Sequence, residues 1–265
     1  MRITMNSGAQ VAAFFDIDGT LLALPSLERR LLRYLRWRGA LTATHGARWL
    51  GRFLWRVWSD WLAATEGNKA HLAGISVATV EPFAALLGRR QLEFFPEALR
   101  RLEWHWAQGH KIFLISGTLA PLTEAVARQL PPEVTTCATQ LEAAGGRCTG
   151  EVVGEAVCGP GKAHALERLA AEHQLDLGRS YAYSDSWNDR WMLDCVGHPA
   201  AVNPSRRLAR LARKRGWPVL LWRETAWPER HGGAAARLRK DETASTSRNS
   251  SLAALEIAAT AGRRK

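Results

Sequence analysis

The stretch FFDIDGTLL, Phe14 to Leu22, decides how this chain is to be read. It continues a short apolar run, Val11 to Phe15, whose β-branched and aromatic members suit a strand buried on both faces of a parallel sheet. The run ends in Asp16 and Asp18, where a buried strand would favour more apolar residues. In an extended chain residues i and i+2 point the same way, so both carboxylates can face one site, with the turn at Gly19 free to rotate the second. Like charges this close are costly unless a cation or a shared proton stabilises them. Taken alone, the motif also fits a plain Asp-Gly surface turn.

Working outward, similar apolar runs follow at Lys111 to Ile115, Tyr181 to Tyr183, Ala200 to Val202 and Val219 to Leu221. Helical patterns lie between them, at Pro96 to Gln108, Pro121 to Gln129, Gly161 to Gln174, Trp187 to Asp194 and Pro204 to Arg215. Strands alternating with helices predict an α/β fold, a Rossmann-like parallel sheet wound by right-handed crossovers. From Leu22 to Glu93 the alternation stops, and apolar residues recur at helical spacing among many arginines. The expected organisation is therefore a core of residues 1–21 and 94–225, a helical insertion over 22–93, and a tail over 226–265. The tail is poor in large apolar residues and is expected to be flexible, with a short helix at Leu252 to Thr260. Thr135 to Gly154, with Gly145 and Gly146 at its centre, reads as a hairpin.

The 265 residues are 46% hydrophobic and 23% charged, which excludes disorder for the whole. Thirty-six Lys and Arg against 25 Asp and Glu give +11, a balance that favours anionic partners. Cys137, Cys148, Cys158 and Cys195 form no two-residue pair of a redox or zinc motif. With no apolar run of signal-peptide or membrane-span length, the expectation is a cytoplasmic protein with free thiols.

A second set of acids stands in YAYSDSWNDRWML: Asp185 follows a strand and Asp189 lies about one helical turn on, beside Asn188. In open α/β sheets ligands bind beyond the carboxyl ends of the strands, so Asp16, Asp18, Asp185 and Asp189 have a natural meeting place. Clustered acid oxygens there suit Mg²⁺. FLISGT places Ser116, the Gly117 amide and Thr118 before a helix start, where hydroxyls and N–H groups cradle an anion. GPGK adds Lys162 as a cation able to reach a phosphate. Together these parts describe phosphoryl transfer: cations neutralise the phosphate, Ser116 and amides position it, and one aspartate attacks.

The ordered set FDIDGT, LISGT, GPGK and YSDSWND resembles the haloacid dehalogenase superfamily, and the insertion after the first motif resembles the helical cap of its phosphoserine-phosphatase-like branch. The resemblance covers Ala12 to Trp222. It implies a Mg²⁺-dependent phosphomonoester hydrolase in which Asp16 is the nucleophile that forms an aspartyl-phosphate and Asp18 the general acid and base. Asp16, the backbone carbonyl of Asp18 and Asp185 would bind the metal with Asp189 in support; Ser116, Gly117 and Lys162 would hold phosphoryl oxygens, and Asn188 would contact substrate. Asp18 argues against a dehalogenase, whose members lack an acid there.

The insertion departs from that branch. The cap glutamate that meets the substrate amine in phosphoserine phosphatases falls on Pro25, and the nearest acid is Glu28. Lys69, Arg89 and Arg90 are basic candidates for a substrate carboxylate or second phosphate. Between Arg48 and Leu62 a helical projection puts Leu50, Phe53, Leu54, Val57, Trp58 and Trp61 on one face and Arg48, Arg52 and Arg56 on the other. The default expectation is an apolar face in the core and an arginine face in solvent; the alternative is an interfacial helix on an anionic membrane, which would make the substrate a lipid-linked phosphate. Two other readings are a basic, Trp-rich membrane-binding protein and a phosphotransferase to an alcohol; no recognised nucleic-acid module is present.

Overall fold

β1 (Ala12–Phe15) is the strand on which the architecture is organised. In the computed structural model, which describes residues 9–57, 67–90, 92–130 and 134–223, it pairs in parallel with β2 (Lys111–Leu119) on one side and β6 (Tyr181–Ser184) on the other. β3 (Val134–Thr139), β7 (His198–Val202) and β8 (Val219–Leu220) complete a six-stranded parallel sheet in the order β3-β2-β1-β6-β7-β8. The tail from 226 on, including the helix expected at Leu252 to Thr260, lies outside the described residues, as do Trp58 and Trp61.

The two-residue period of β1 divides the core. Ala13 and Phe15 point into one apolar cluster, Ala12 and Phe14 into another, and all four are fully buried. The Phe14 side is covered by α6 (Pro160–Glu172), α7 (Arg190–Asp194) and α8 (Arg206–Arg215), through Leu166, Met192, Leu193 and Leu208. The Phe15 side is covered by α4 (Pro96–Ala107) and α5 (Ala120–Ala127), and by helices of the segment between β1 and β2. Those are α1 (Leu27–Trp37) and α3 (Val77–Arg89), with Leu72 of a 3-10 turn at Ala70–Leu72; α2 (Ala43–Arg56) belongs to the same segment but gives no residue to this cluster, and no strand of the main sheet is present among the described residues there.

Two expectations need correction. The hairpin expected over Thr135 to Gly154 is only its second half: β4 (Leu141–Ala144) and β5 (Arg147–Val152) turn at Gly145 and Gly146, whereas the preceding residues join the main sheet as edge strand β3 beside β2. The Thr135 to Thr139 run satisfies its ladder with the buried β2, so it pairs there in preference to the short β5. The default for α2 also holds only in part: Phe53 and Val57 are half-buried and Arg48 is exposed, but the leucines of the apolar face are not covered. Leu50 and Leu54 are 49% and 58% exposed, while Arg48 donates to the Ala73 carbonyl and Arg52 reaches the Gly150 carbonyl and the Glu151 carboxylate. Arginine has five donors, and here backbone carbonyls and one acid outbid solvent for them.

The β4–β5 hairpin also ties this helical segment down. Gly74 N–H donates to Cys148 O at 2.7 Å, Cys148 N–H to Ile75 O at 2.8 Å, and Val77 N–H to Gly146 O at 3.0 Å.

Behind the sheet, His105 of α4 is wholly buried, its Nε2 2.9 Å from the Tyr183 hydroxyl and its Nδ1 2.9 Å from His110 Nδ1. Burial, then the nearby His110 and Arg101 charges, push its pKa down to about 3. The unfolded chain takes up this proton below about 6.5 and the fold does not, so stability falls as pH drops from 6.5 towards about 3. Urea unfolding of the wild type is expected to lose about 1.4 kcal/mol per pH unit in that window relative to His105→Gln; superimposable pH dependences would refute a neutral buried imidazole.

Candidate active site

The carboxyl ends of β1, β2 and β6 and the start of α6 meet in one pocket of about 410 Å³. Asp16, Asp18, Ser116, Gly117, Lys162, Asp185 and Asp189 all line it, so the structure brings together seven of the eight residues expected from the sequence. Asn188 does not line it; its backbone N–H donates to Ser186 Oγ, and Ser186 takes the place at the wall.

Lys162 lies at the centre of the charges. Its ammonium is buried, 2.5 Å from Asp16 Oδ1 and 2.7 Å from Asp189 Oδ2, and Ser184 Oγ donates to the same Asp189 oxygen at 2.5 Å. The sequence GPGK accounts for the placement. Pro160 opens α6, and a Cβ on Gly161 would stand 2.1 Å from the Ala156 carbonyl, so only glycine lets the helix start this close to the preceding loop.

One ammonium does not balance three acids. Burial, and then Asp189 and Asp185 against the opposing Lys162, hold the Asp16 carboxyl well above the usual carboxylate range. Burial and Asp189 push Asp185 up to about 7. The pocket therefore carries excess negative potential whenever these acids ionise.

Asp18 faces the same pocket in a different setting. The turn rotates its carboxylate, so that Oδ1 accepts the Leu27 N–H at the start of α1 at 2.8 Å and Oδ2 accepts the Thr118 hydroxyl at 2.9 Å. Burial raises its pKa, and these two donors limit the rise. Gly19 permits the rotation at φ 86°, and its missing side chain makes room for Asp185: a Cβ would stand 2.4 Å from Asp185 Oδ2.

The oxygen chemistry of this cluster fits Mg²⁺, with a qualification about the ligand set. Among the described residues no three His, Cys, Asp or Glu side chains are gathered to hold an ion by themselves. Asp189 is engaged by Lys162 and Ser184, and the Asp18 carboxylate by Leu27 and Thr118, so neither side chain is placed as a ligand. Mg²⁺ commonly binds one or two carboxylates together with substrate phosphate and water, a demand that Asp16 and Asp185 can meet.

The sequence reading left out Thr118 as the partner of Asp18, and the walls given by Ser26, Arg29, Cys158 and Ser186. Glu28, the nearest acid, and Lys69, one of the basic candidates, do reach the pocket and pair with each other at 2.6 Å, with His71 Nε2 3.5 Å from the second Glu28 oxygen. Although burial opposes it, Lys69 and His71 bring the Glu28 carboxyl down to about 2. Arg89 and Arg90 do not line this pocket; Arg90 lines a separate one with Trp37 and Phe83.

A family model for haloacid dehalogenase-like hydrolases matches residues 13–194, which span the pocket from Asp16 to Asp189. The chain belongs to that family. It is 35% identical over 225 residues to a phosphoserine phosphatase of Mycobacterium tuberculosis, covering 78% of this chain and 70% of the relative. It is 30% identical over 217 residues to a histidinol-phosphatase of Neisseria meningitidis, covering 78% and 97%. A solved structure of a protein of unknown function from Bordetella pertussis is similar at 29% identity and TM-score 0.64, covering 80% of this chain and 98% of that one. The six-stranded parallel sheet with helices on both faces is thus the Rossmann-like fold of haloacid dehalogenase-like hydrolases.

Gly19→Ala tests the crowding that holds this family site together. The left-handed backbone alone is expected to cost about 1–2 kcal/mol, and displacement of Asp185 adds to it. A lowered urea midpoint is the expected result; an unchanged midpoint would show that the turn accepts a side chain.

Proposed function

We propose that this haloacid dehalogenase-like hydrolase is a Mg²⁺-dependent phosphatase acting on a phosphomonoester through an aspartyl-phosphate. The observation that carries the reading is the pairing of two aspartates, two residues apart, in unlike settings: Asp16 against the Lys162 ammonium, Asp18 against Leu27 N–H and the Thr118 hydroxyl. Two groups of one residue type whose environments differ can divide nucleophile and acid between them.

In this reading Asp16 Oδ attacks phosphorus and the bond to the leaving oxygen breaks, while Asp18 gives that oxygen its proton. Asp18, now ionised, takes a proton from water, which attacks the aspartyl-phosphate and releases inorganic phosphate and free Asp16. Lys162 favours the ionised form of Asp16 against the burial that opposes it and, with Ser116 Oγ and the Gly117 amide, holds phosphoryl oxygens. Bound Mg²⁺, held by Asp16, Asp185 and the Asp18 carbonyl, would supply charge neutralisation at the phosphate.

The leaving group has room to extend. A cleft of about 1200 Å³ between α1 and α2 shares Ser26, Glu28, Arg29 and Lys69 with the catalytic pocket and continues along Leu32, Leu41 and Trp49, with Arg33 and Arg36 on its wall. We read residues 22–93 as the cap that selects substrate. Because Glu28 is already paired with Lys69, a small amino alcohol finds little there, whereas an extended leaving group with apolar surface and an acidic group fits the cleft. Complete catalytic machinery in a hydrolase family speaks against a role as a binding protein alone.

Turnover of p-nitrophenyl phosphate is expected to require Mg²⁺, to stop with EDTA, and to fall more than about a thousandfold in Asp16→Asn. Metal-independent turnover, or an active Asp16→Asn, would sink the mechanism. Across a panel of phosphomonoesters, kcat/KM is expected to be higher for long, partly apolar leaving groups than for phosphoserine, and the opposite order would overturn the assignment of the cleft.

The Thr118 hydroxyl stabilises ionised Asp18, so its removal raises the pKa of the acid further. The alkaline limb of the kcat/KM profile, where Asp18 loses its proton, is expected to move to higher pH in Thr118→Val. A shift to lower pH would exclude Asp18 as the general acid.

A further inference from the structure

The outward face of α2 is unusual for a chain of net charge +11. Ala43, Ala47, Leu50 and Leu54 follow one another at i, i+4, i+7 and i+11, all exposed, with Gly46 and Gly51 on the flanks; Trp55, about 100° further round the helix and next to Arg48, is 77% exposed. Among the described side chains of α2 no charge lies within this stripe; Arg48, itself exposed, and the half-buried Arg52 donate to the Ala73 and Gly150 carbonyls and to Glu151. An amphipathic helix normally does the opposite, and contiguous exposed apolar surface marks a site of contact.

The surroundings of the stripe say what kind of contact. Residues 27–57 hold eight arginines against the single acid Glu28, a net of +7 of the chain's +11. Arg33 and Arg36 of the neighbouring α1, and Arg38 just after it, are exposed and make no ion pair among the described residues. Arg33 and Arg36 line the same cleft as Ala43 and Gly46 of α2, so cationic and apolar surface adjoin. Trp37, at the end of α1, is 78% exposed.

A second copy of the chain is a poor occupant. A 14-residue helix is about 21 Å long, and a single-helix stripe about 10 Å wide offers roughly 200 Å², well below the roughly 800 Å² per partner of a stable protein interface. A bilayer surface sets no such minimum. Leucine and tryptophan insert at the acyl–headgroup boundary, arginines meet anionic headgroups, and the two terms add.

We propose that α1 and α2 dock this enzyme on anionic lipid surfaces, with Leu50, Leu54 and Trp55 entering the interface and Arg33, Arg36 and Arg38 meeting the headgroups. The inference stands apart from the phosphatase reading, since it concerns where the protein sits and not what Asp16 does. It also fits a cleft walled by the same two helices, which would then open beside the lipid surface.

The test is co-sedimentation of the full chain with vesicles of equal parts phosphatidylglycerol and phosphatidylcholine, against phosphatidylcholine alone, at about 50 mM salt, where screening is weak. Wild type is expected to bind the anionic vesicles and not the neutral ones. Leu50→Glu/Leu54→Glu/Trp55→Glu, and the milder Leu54→Ser/Trp55→Ser, are expected to lower the bound fraction about tenfold or more, while p-nitrophenyl phosphate turnover and circular dichroism stay as in wild type. Asp16→Asn should bind as wild type does, which separates this result from the fate of the catalytic reading. Wild type free in the supernatant, or both apolar-face variants bound like wild type, would overturn the proposal. So would a wild-type dimer in the ultracentrifuge that the variants convert to monomer, which would assign the face to a second copy.

Discussion

The ammonium of Lys162, buried between Asp16 and Asp189, is the contact on which the site is built. It draws together the end of β1, the 3-10 turn Trp187–Asp189 that follows β6, and the first turn of α6, three elements far apart in the chain. Buried ion pairs are expensive to desolvate and repay the expense only with good geometry and further hydrogen bonds. Here Ser184 supplies one such bond, and the tight packing of Gly161 on Ala156 fixes the distance. The residual imbalance, one cation against three acids, is what the divalent cation proposed for this site would relieve. The pocket is stable enough to fold and unsatisfied enough to bind.

Asp18 shows how the same residue type serves a second purpose a short step away. Its carboxylate tethers the start of α1 through Leu27 and the end of β2 through Thr118. A proton-transfer group and the entrance to the helical segment are therefore one structural unit. Any displacement of α1 is felt directly at the carboxyl proposed to protonate the leaving group.

Much of this was legible in the sequence because buried parallel strands that end in carboxylates, hydroxyls and glycines are locally improbable, and three such endings together with the GPGK helix start, in order, are jointly specific. β1, β2 and β6 and the residues at their tips follow from that pattern. What stayed hidden depends on partners remote in sequence. An amphipathic projection of α2 separates two faces without saying which is buried, and the answer came from carbonyls of Ala73 and Gly150 and from Glu151. The run from Thr135 carries strand character, but its choice between β2 and β5 is a competition of ladders. Glu28 and Lys69 are 41 residues apart, and only the fold shows that each neutralises the other.

The bonds from Gly74, Ile75 and Val77 to the β4–β5 hairpin have a mechanical meaning. The helical segment leaves the core after β1 and returns to it before β2, and the hairpin, reached only after β3, clasps it a third time. A lid fastened at two chain crossings can swing like a jaw. One fastened at a third point, through paired backbone, pivots about the line of its fastenings and carries the hairpin with it. Displacing residues 74–77 therefore means either breaking three backbone hydrogen bonds or carrying β4 and β5 along, which couples the helical segment to the turn between those strands.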